Sequence, residues 1–523
     1  MQFYMSLYLS FIYLMNNTAA NNKRIAKNTL LLYFRMLLTM AVTLYTSRVV
    51  LDTLGVEDYG IYNVVGGVVA MFSVISNSLS GAISRFITYE LGRGNEERLK
   101  TIFSSAVLIQ CGMALLICIL AEIGGVWFLN NKMNIPIERL DAANWVLQCS
   151  ILTFMLNLIS VPYNAAIIAH EQMRAFAYIS ILEVTLKLLV AFTLYIVTWD
   201  KLQIYAILLF VAALIIRIVY GRYCKRHFEE CTFHYAYDNK LLKEMFSFAG
   251  WNFIGSASSV LRSQGVNIVL NLFCGPAVNA ARGIAFQVNT AVSSFVNNFM
   301  TALNPPIIKS YASGDREYMM TLIFKGARYS FYLLLFLSLP IILEADCILS
   351  IWLKEVPEHT ANFVRLVLIF ALSESISGPL ITTMLATGKI RNYQIVVGGL
   401  QMMNFPISYV LLKIGMFPEV TMIVAIVISQ CCLVARLYML RKMVFLPAIK
   451  FIRNVYVNIL SVSILSSIVP MIFHQKEISI GTSVIVILLS LTCSLFVIFY
   501  IGCNKEERIF AKNKAKYFLN KIR

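Results

Sequence analysis

Long apolar segments recur along the whole chain and predict helices that cross a membrane. A tilted helix needs about 20 mostly apolar residues to cross about 30 Å of hydrocarbon. Fourteen segments reach that length, and the connections between them are too short to hold a separate folded domain. They lie near residues 28–51, 60–88, 101–129, 142–168, 176–198, 202–222, 246–273, 277–304, 321–352, 361–387, 393–415, 419–440, 452–473 and 479–502. The sequence therefore predicts an all-α polytopic membrane protein with about 14 transmembrane helices.

The eighth segment is interrupted by polar residues at nearly every helical turn. Arg282, Asn289, Ser293 and Asn297 are spaced so that they share one face of an α-helix. A polar face is costly against lipid. We therefore expect this face to meet either protein or a water-filled cavity.

The same segment has a twin in the first half of the chain. Residues Gly55–Gly94 align with Gly275–Gly314 without a gap, at an offset of 220 residues. Ser73 and Asn77 fall in register with the Ser and Asn of the polar face in the eighth segment. We therefore expect Ser73 and Asn77 to face the same environment as their twins.

Two further blocks repeat at almost the same offset. Ile159–Arg174 parallels Ile376–Arg391, and the two arginines that end the sixth segment match Arg436 and Arg441. Because six is an even number, both halves have the same orientation in the membrane. The prediction is two pseudo-symmetric six-helix bundles followed by a C-terminal helix pair. The predicted parts are a cytoplasmic segment 1–27, a bundle 28–222, a linker 223–243, a second bundle 244–442, and residues 443–523 with the last two helices and a basic tail.

Composition and charge agree with a membrane protein. The 523 residues are 59% hydrophobic and 14% charged, with mean hydropathy +0.73, whereas soluble proteins average about 45–50% apolar and about 25% charged. The net charge of +17 resides mainly in the loops. Because membrane topology explains it, we expect no nucleic-acid partner.

The distribution of Lys and Arg predicts that both termini are cytoplasmic. With the N-terminus inside, the external loops hold few basic residues, namely Lys132, Arg139, Lys201, Lys354, Lys413 and Lys476. The first 15 residues are too short to span and lack a basic region and a cleavage site. We expect translation to start at Met15; a short interfacial helix is the alternative.

No catalytic or cofactor signature occurs in the sequence. The linker carries Cys224, His227, Cys231 and His234, but their spacing is too tight for a usual zinc module. The eleven cysteines show no disulfide framework. We therefore expect no metal, no cofactor and no enzymatic activity.

Arginines inside the predicted spans are the strongest candidates for function. The first two predicted helices of each half carry Arg35, Arg48, Arg85, Arg262 and Arg282. We expect them to form a ladder of positive charge across the membrane. Guanidinium groups bind phosphate in a bidentate manner, which suits a diphosphate cargo. The alternative for Arg48 and Arg85 is that they reach the headgroups. Arg262 is too deep for that.

Acidic residues are fewer in the spans. Glu183 and Lys187 are four residues apart and are expected to neutralise each other. Glu374 lies near the centre of the tenth segment, beside several serines. It is either a counter-ion for an arginine or a carboxylate that couples transport to protons.

With these features the chain resembles the Wzx-type polysaccharide flippases of the multidrug/oligosaccharidyl-lipid/polysaccharide (MOP) exporter superfamily. The motifs that carry the resemblance are LGVEDYGIYNVVGG after the first segment, and VNAARGIAFQVN and NPPIIKSYASGD around the eighth. The resemblance implies two bundles around a central cavity that works by alternating access. The implied cargo is a polyprenyl-diphosphate-linked oligosaccharide, flipped to the outer leaflet of a bacterial inner membrane beside other polysaccharide-assembly proteins. In the related lipid II flippase cavity arginines are functional, which implies such a role for Arg35, Arg262 and Arg282.

Two other functions remain open at this stage. A cation-coupled exporter of small molecules, of the MATE type, would share the fold but should carry acidic residues in its cavity. A membrane glycan polymerase or ligase would also handle lipid-linked sugar, but usually needs a large external loop, and none is present.

Overall fold

The computed structural model describes residues 24–43, 73–131, 135–232, 238–274, 276–353, 356–474 and 480–509, with scattered residues between 45 and 65 and residue 512. Within these ranges the chain is helical and contains no β-strand. The predicted start at Met15, Arg48, His234 and the external lysines Lys132, Lys354 and Lys476 lie outside the described residues. So do the side chains of Ser73 and Asn77.

The chain divides into two compact units. The first comprises the described residues of Met1–Ser256 together with Ile308–Asp315, and the second comprises Ala257–Ile307 and Arg316–Arg523. The predicted boundaries at 222, 243 and 442 stay a prediction. Helices of the first unit are α1 (Arg24–Thr43), α2 (Ser73–Arg93), α3 (Glu96–Asn131), α4 (Leu140–Ala169), α5 (Met173–Thr193), α6 (Lys201–His227) and the beginning of α7 (Asn239–Cys274).

The second unit contains the end of α7 and most of α8, together with the remaining helices. These are α8 (Pro276–Ala312), α9 (Arg316–Leu343), α10 (Ala345–Trp352), α11 (Thr360–Ser375), α12 (Gly378–Ala386), α13 (Arg391–Met402), α14 (Asn404–Lys413), α15 (Val420–Val444), α16 (Ala448–Phe451), α17 (Val457–Phe473) and α18 (Ile480–Val497). Short π-helical segments, Ile452–Tyr456 and Ile498–Gly502, precede α17 and follow α18.

Ten helices among the described residues are long and apolar enough to cross a membrane, or eleven if α11 and α12 form one span bent by 40°. The bend falls at Ser377–Pro379, where the proline occupies the beginning of α12 and its missing N–H costs no hydrogen bond. Helices α2, α7 and α8, which coincide with predicted spans two, seven and eight, are outside this set. The number fourteen therefore stays a prediction, whereas the all-helical membrane fold is confirmed.

The helix ends at the repeated positions have the same left-handed backbone conformation in both halves of the sequence. Gly94 follows α2 with φ +70°, and Gly314 follows α8 with φ +81°. Glu171 and Gly388, at the second repeat offset, take φ values of 58° and 74°. A left-handed residue commonly ends a helix, and glycine adopts this conformation without strain. The two halves thus make corresponding turns at corresponding positions, although one of them uses a glutamate.

The end of α8 packs closely on α2 within the first unit. A Cβ atom added to Gly92 would lie 2.8 Å from Ala312 Cβ and 2.9 Å from Lys309 Cα. The rings of Tyr89 and Tyr311 lie 6.3 Å apart beside this contact. Because only hydrogen fits between the two backbones, the glycine permits the close approach.

A buried carboxylate joins three elements next to that contact. The Glu171 side chain is 2% exposed and lies 2.9 Å from Arg24 Nε and 3.0 Å from Lys309 Nζ. Asn28 donates a hydrogen bond to the Glu171 carbonyl oxygen (3.3 Å). Burying a charge is costly unless it is paired, and here two cations share one carboxylate. We call Arg24, Glu171 and Lys309 the Glu171 cluster.

Candidate functional site

Two of the arginines predicted to be functional lie in α7 and α8 of the second unit. Arg262 lies in α7, where its Nη2 is 3.4 Å from Ser259 Oγ, one helical turn earlier. Its guanidinium carbon lies 5.0 Å from the centre of the Phe370 ring in α11. A cation above an aromatic face is stabilised without being neutralised. Arg262 therefore keeps its positive charge inside the protein.

Arg282 in α8 is 4% exposed. One Nη donates a hydrogen bond to Asn267 Oδ1 in α7, and the guanidinium carbon lies 4.4 Å from the centre of the Phe286 ring. Its Nε has no hydrogen-bond partner among the described residues. The amide, like the ring, leaves the charge of the arginine uncompensated.

Neither arginine forms an ion pair with an acidic residue in the part of the chain that the structure describes. Arg262 and Arg282 are close enough to repel each other electrostatically. Two adjacent cations inside a membrane protein are costly and mark a functional site by default. The pair offers several N–H donors to an anion, with guanidinium geometry that fits phosphate.

Glu374, the proposed partner or coupling carboxylate, does not form an ion pair with Arg262 in the described residues. Its Oε1 accepts a hydrogen bond from Ser429 Oγ (2.6 Å), and Ser429 Oγ lies 2.8 Å from Ser373 Oγ. Gln430 Nε2 donates to Ser373 Oγ (2.5 Å). These bonds connect α11 with α15, so the carboxylate belongs to a polar network between two helices.

Arg436 is a buried arginine that the sequence identified only as part of the repeat. It is 1% exposed, and its Nη1 donates to Ser377 Oγ (2.8 Å) at the break between α11 and α12. Tyr393 and Glu374 also interact with it electrostatically. The predicted segment 419–440 placed it near the end of a span, whereas α15 continues to Val444 and places it deeper. Its twin Arg217 lies 4.0 Å from the centre of the Tyr163 ring.

The polar face of α8 is only partly exposed. Asn289 and Ser293 are half-buried, and Ser293 Oγ donates to Asn289 Oδ1 (2.9 Å), while Asn297 is exposed. The exposed residues between 283 and 297 are small or polar, namely Gly283, Gln287, Thr290, Ala291 and Asn297. A membrane helix with such an exposed face is suited to contact water rather than lipid.

In the first unit, Arg35 of α1 is the arginine proposed for the site. Its Nη1 is 3.4 Å from Ser180 Oγ, and its guanidinium carbon is 4.5 Å from the centre of the Phe176 ring in α5. A separate cavity of about 350 Å³ in this unit contains the ion pair between Glu183 and Lys187, with Nζ 2.7 Å from Oε1. This pair makes the cavity neutral, as the spacing of the two residues predicted.

The linker cysteines are buried side chains. Cys224 Sγ lies 3.5 Å from the Tyr163 carbonyl oxygen, and Cys231 lies beside Cys224. Among the described residues no group of three metal-binding side chains occurs.

Comparison with known proteins identifies related sequences. Residues 25–310 match the family described as polysaccharide biosynthesis protein. An uncharacterized membrane protein, EpsK of Bacillus subtilis (strain 168), is 22% identical over 321 residues, which cover 61% of this chain. The match spans 63% of the length of that relative.

Solved structures of low sequence identity share the fold. A MATE mutant superimposes with TM-score 0.70 at 12% identity, over 81% of this chain and 97% of the other. An outward-facing multidrug resistance MATE transporter of the MOP superfamily gives 0.68 at 13%, over 81% and 96%. A MOP superfamily transporter from Pyrococcus furiosus, for which reversed polarity of the binding pocket is reported to suggest a different function, gives 0.68 at 12%, over 81% and 96%. The chain thus has a MATE-like transporter fold.

Proposed function

This chain belongs to the polysaccharide biosynthesis protein family and has a MATE-like transporter fold, and we propose that it is a membrane exporter of the MOP superfamily whose cargo is a lipid-linked oligosaccharide. In this proposal the oligosaccharide is carried on polyprenyl diphosphate, and the protein moves it across a bacterial inner membrane by alternating access. Other polysaccharide-assembly membrane proteins would supply and receive the glycan.

The observation that carries the proposal is the adjacent pair Arg262 and Arg282, neither of which forms an ion pair in the described part of the chain, although Glu374 attracts Arg262 from a longer distance. A diphosphate brings at least two negative charges, and the two guanidinium groups supply donors in the geometry that phosphate oxygens accept. The exposed polar residues of α8 supply neutral donors and acceptors that suit sugar hydroxyls. A cation exporter would instead need carboxylates, and the intramembrane pair Glu183 and Lys187 is already neutral.

A transport assay tests the proposed cargo. Purified protein in liposomes is expected to expose a polyprenyl-diphosphate-linked oligosaccharide of the inner leaflet to an external lectin, faster than protein-free liposomes do. Export of small organic cations with no movement of the lipid-linked glycan would favour the MATE-type alternative. Elongation of the glycan without its translocation would favour a polymerase.

We expect both termini to lie in the cytoplasm. In this orientation a cysteine at Lys201 or Lys413 is external, and a cysteine at Lys389 is cytoplasmic. A membrane-impermeant maleimide applied to intact cells should label the first two positions and leave the third unlabelled until the cells are opened. The opposite pattern would reverse the orientation.

We also expect the exposed polar face of α8 to line a hydrated cavity. Cysteines at Gln287, Thr290 and Asn297 should react with a water-soluble thiol reagent, in a protein whose eleven native cysteines have been removed. Cysteines at the buried positions Ala285 and Val292 on the same helix are the matched controls. Equal protection at all five positions would mean that the polar residues pack against protein.

A further inference from the structure

The turn that follows α15 exposes large apolar side chains at the end of a membrane span. Phe445 has φ 57°, and Leu446 N–H lies 3.4 Å from the Leu440 carbonyl oxygen, which closes the helix. Glycine usually occupies this left-handed position because a Cβ atom is crowded there. Phe445 is nevertheless 87% exposed and Ile449 is 80% exposed, while Leu446 is buried and anchors the turn.

A basic cleft of about 590 Å³ lies beside this turn. Its polar lining consists of Arg441 at the end of α15, Lys450 in α16, and Arg453 and Asn454 in the π-helical segment. Its apolar lining includes Pro447 and Ile449. A π-helical turn changes the direction of the side chains that follow, and such turns are frequent at functional sites.

The charge of this cleft is uncompensated. No acidic residue lines it, and Arg441, Lys450 and Arg453 form no ion pair in the described part of the chain. The three cations and the exposed Phe445 and Ile449 occur together where a span ends. Exposed apolar side chains such as Phe and Leu insert at the boundary between the lipid headgroups and the acyl chains, while neighbouring Lys and Arg attract anionic lipid.

We propose that this cleft binds the phosphodiester headgroup of an anionic phospholipid from the adjacent leaflet. Arg441, Lys450 and Arg453 contact the phosphate, Asn454 offers an amide to the polar part of the headgroup, and the acyl chains lie along Phe445 and Ile449. A soluble phosphate compound would use the cations but would leave these two apolar side chains in water. The lipid is therefore the occupant that uses both parts of the surface, and the site is independent of the cargo proposed above.

Native mass spectrometry of the full-length protein with phosphatidylglycerol and phosphatidylcholine tests the proposal. The wild type should retain phosphatidylglycerol preferentially. Each basic residue near anionic lipid contributes about 1 kcal/mol, so the triple change Arg441→Gln, Lys450→Gln, Arg453→Gln should weaken phosphatidylglycerol binding on the order of 100-fold. Retention of phosphatidylcholine should not change.

The matched control removes three exposed charges at the corresponding end of α6, by Arg222→Gln, Lys225→Gln and Arg226→Gln. This control should keep the preference for phosphatidylglycerol, because the turn after α6 buries Phe228 instead of exposing it. Equal losses in both triple variants would reduce the effect to net charge and overturn the site. Displacement of the lipid by millimolar inorganic phosphate would assign the cleft to a soluble phosphate and overturn the proposal for a lipid.

A second measurement needs no variant. A photoactivatable phosphatidylglycerol with its reactive group near the headgroup should label peptides that contain residues 441–454 of the wild-type protein. Absence of labelling there, with labelling elsewhere, would contradict the proposal even if the triple variant does not fold.

Discussion

Replacing Arg262 with alanine is expected to abolish glycan export while the protein still inserts and folds. Among the described residues Arg262 makes one long hydrogen bond, to Ser259, and a ring contact with Phe370, and it has no ion pair, so little of the described structure depends on it. A charge-assisted hydrogen bond contributes about 1.5–3 kcal/mol, and its loss should weaken binding of a diphosphate about 10- to 100-fold. Complementation of a strain that lacks its own flippase, measured as surface polysaccharide, reports the effect.

Two further variants separate cargo binding from structure. Arg262→Lys keeps the charge but loses the bidentate geometry, so it should retain partial export. Arg365→Ala removes a half-exposed arginine of the same unit, which pairs with Asp346, and should leave export unchanged. If Arg262→Ala lowers protein abundance and a second change, Glu374→Ala, restores it, the arginine is a structural partner of the carboxylate. Normal export by the abundant Arg262→Ala protein would remove it from the mechanism.

Replacing Arg436 with alanine is expected to have the opposite outcome, a loss of folded protein. Arg436 is fully buried, bonds Ser377 at the bend between α11 and α12, and attracts Glu374. Its removal leaves a cavity, breaks the bond to Ser377 and takes an attracting cation away from the half-buried Glu374 carboxylate. Large-to-small changes of buried side chains typically cost about 2–5 kcal/mol. Thermal unfolding in detergent should therefore occur at a clearly lower temperature.

A combined variant tests the reason for that loss. Arg436→Met with Glu374→Gln removes both charges and preserves most of the volume, so it should be more stable than Arg436→Met alone. Arg217→Ala, at the twin position, is the comparison, since Arg217 contacts the face of Tyr163. If the double variant is no more stable than Arg436→Met, Glu374 does not depend on Arg436.

The helices and the repeat were predictable from sequence because apolar length and paired motifs are local signals. The environment of each polar side chain was harder to predict. Because a helix turns about 100° per residue, the side chains of Arg282 and Asn297 leave α8 in directions that differ by about 60°. Accordingly Arg282 is buried against Asn267, whereas Asn297 is exposed.

Partners that are distant in sequence were not predictable in this way. Glu374 lies 55 residues before Ser429, which donates to it, and no periodicity links the two. The sequence placed Arg436 near the end of a span, whereas the structure buries it in α15 with its guanidinium bonded to Ser377 at the break between α11 and α12. In both cases the missing information was how neighbouring helices are rotated, which depends on packing between them.

The Glu171 cluster breaks the symmetry of the repeat at the cost of backbone strain. Gly388 makes the equivalent turn without strain, whereas Glu171 holds a left-handed backbone that costs about 1–2 kcal/mol. In return Arg24 and Lys309 meet at the Glu171 carboxylate, and the glycine at the equivalent turn has no side chain to offer in its place. Loss of the ion pair to Lys309 would leave the buried carboxylate with Arg24 alone, and burying a charge is costly unless it is paired. The strained turn therefore ties the end of α8 to α1, and any movement of α8 away from this turn has to overcome the loss of that pair.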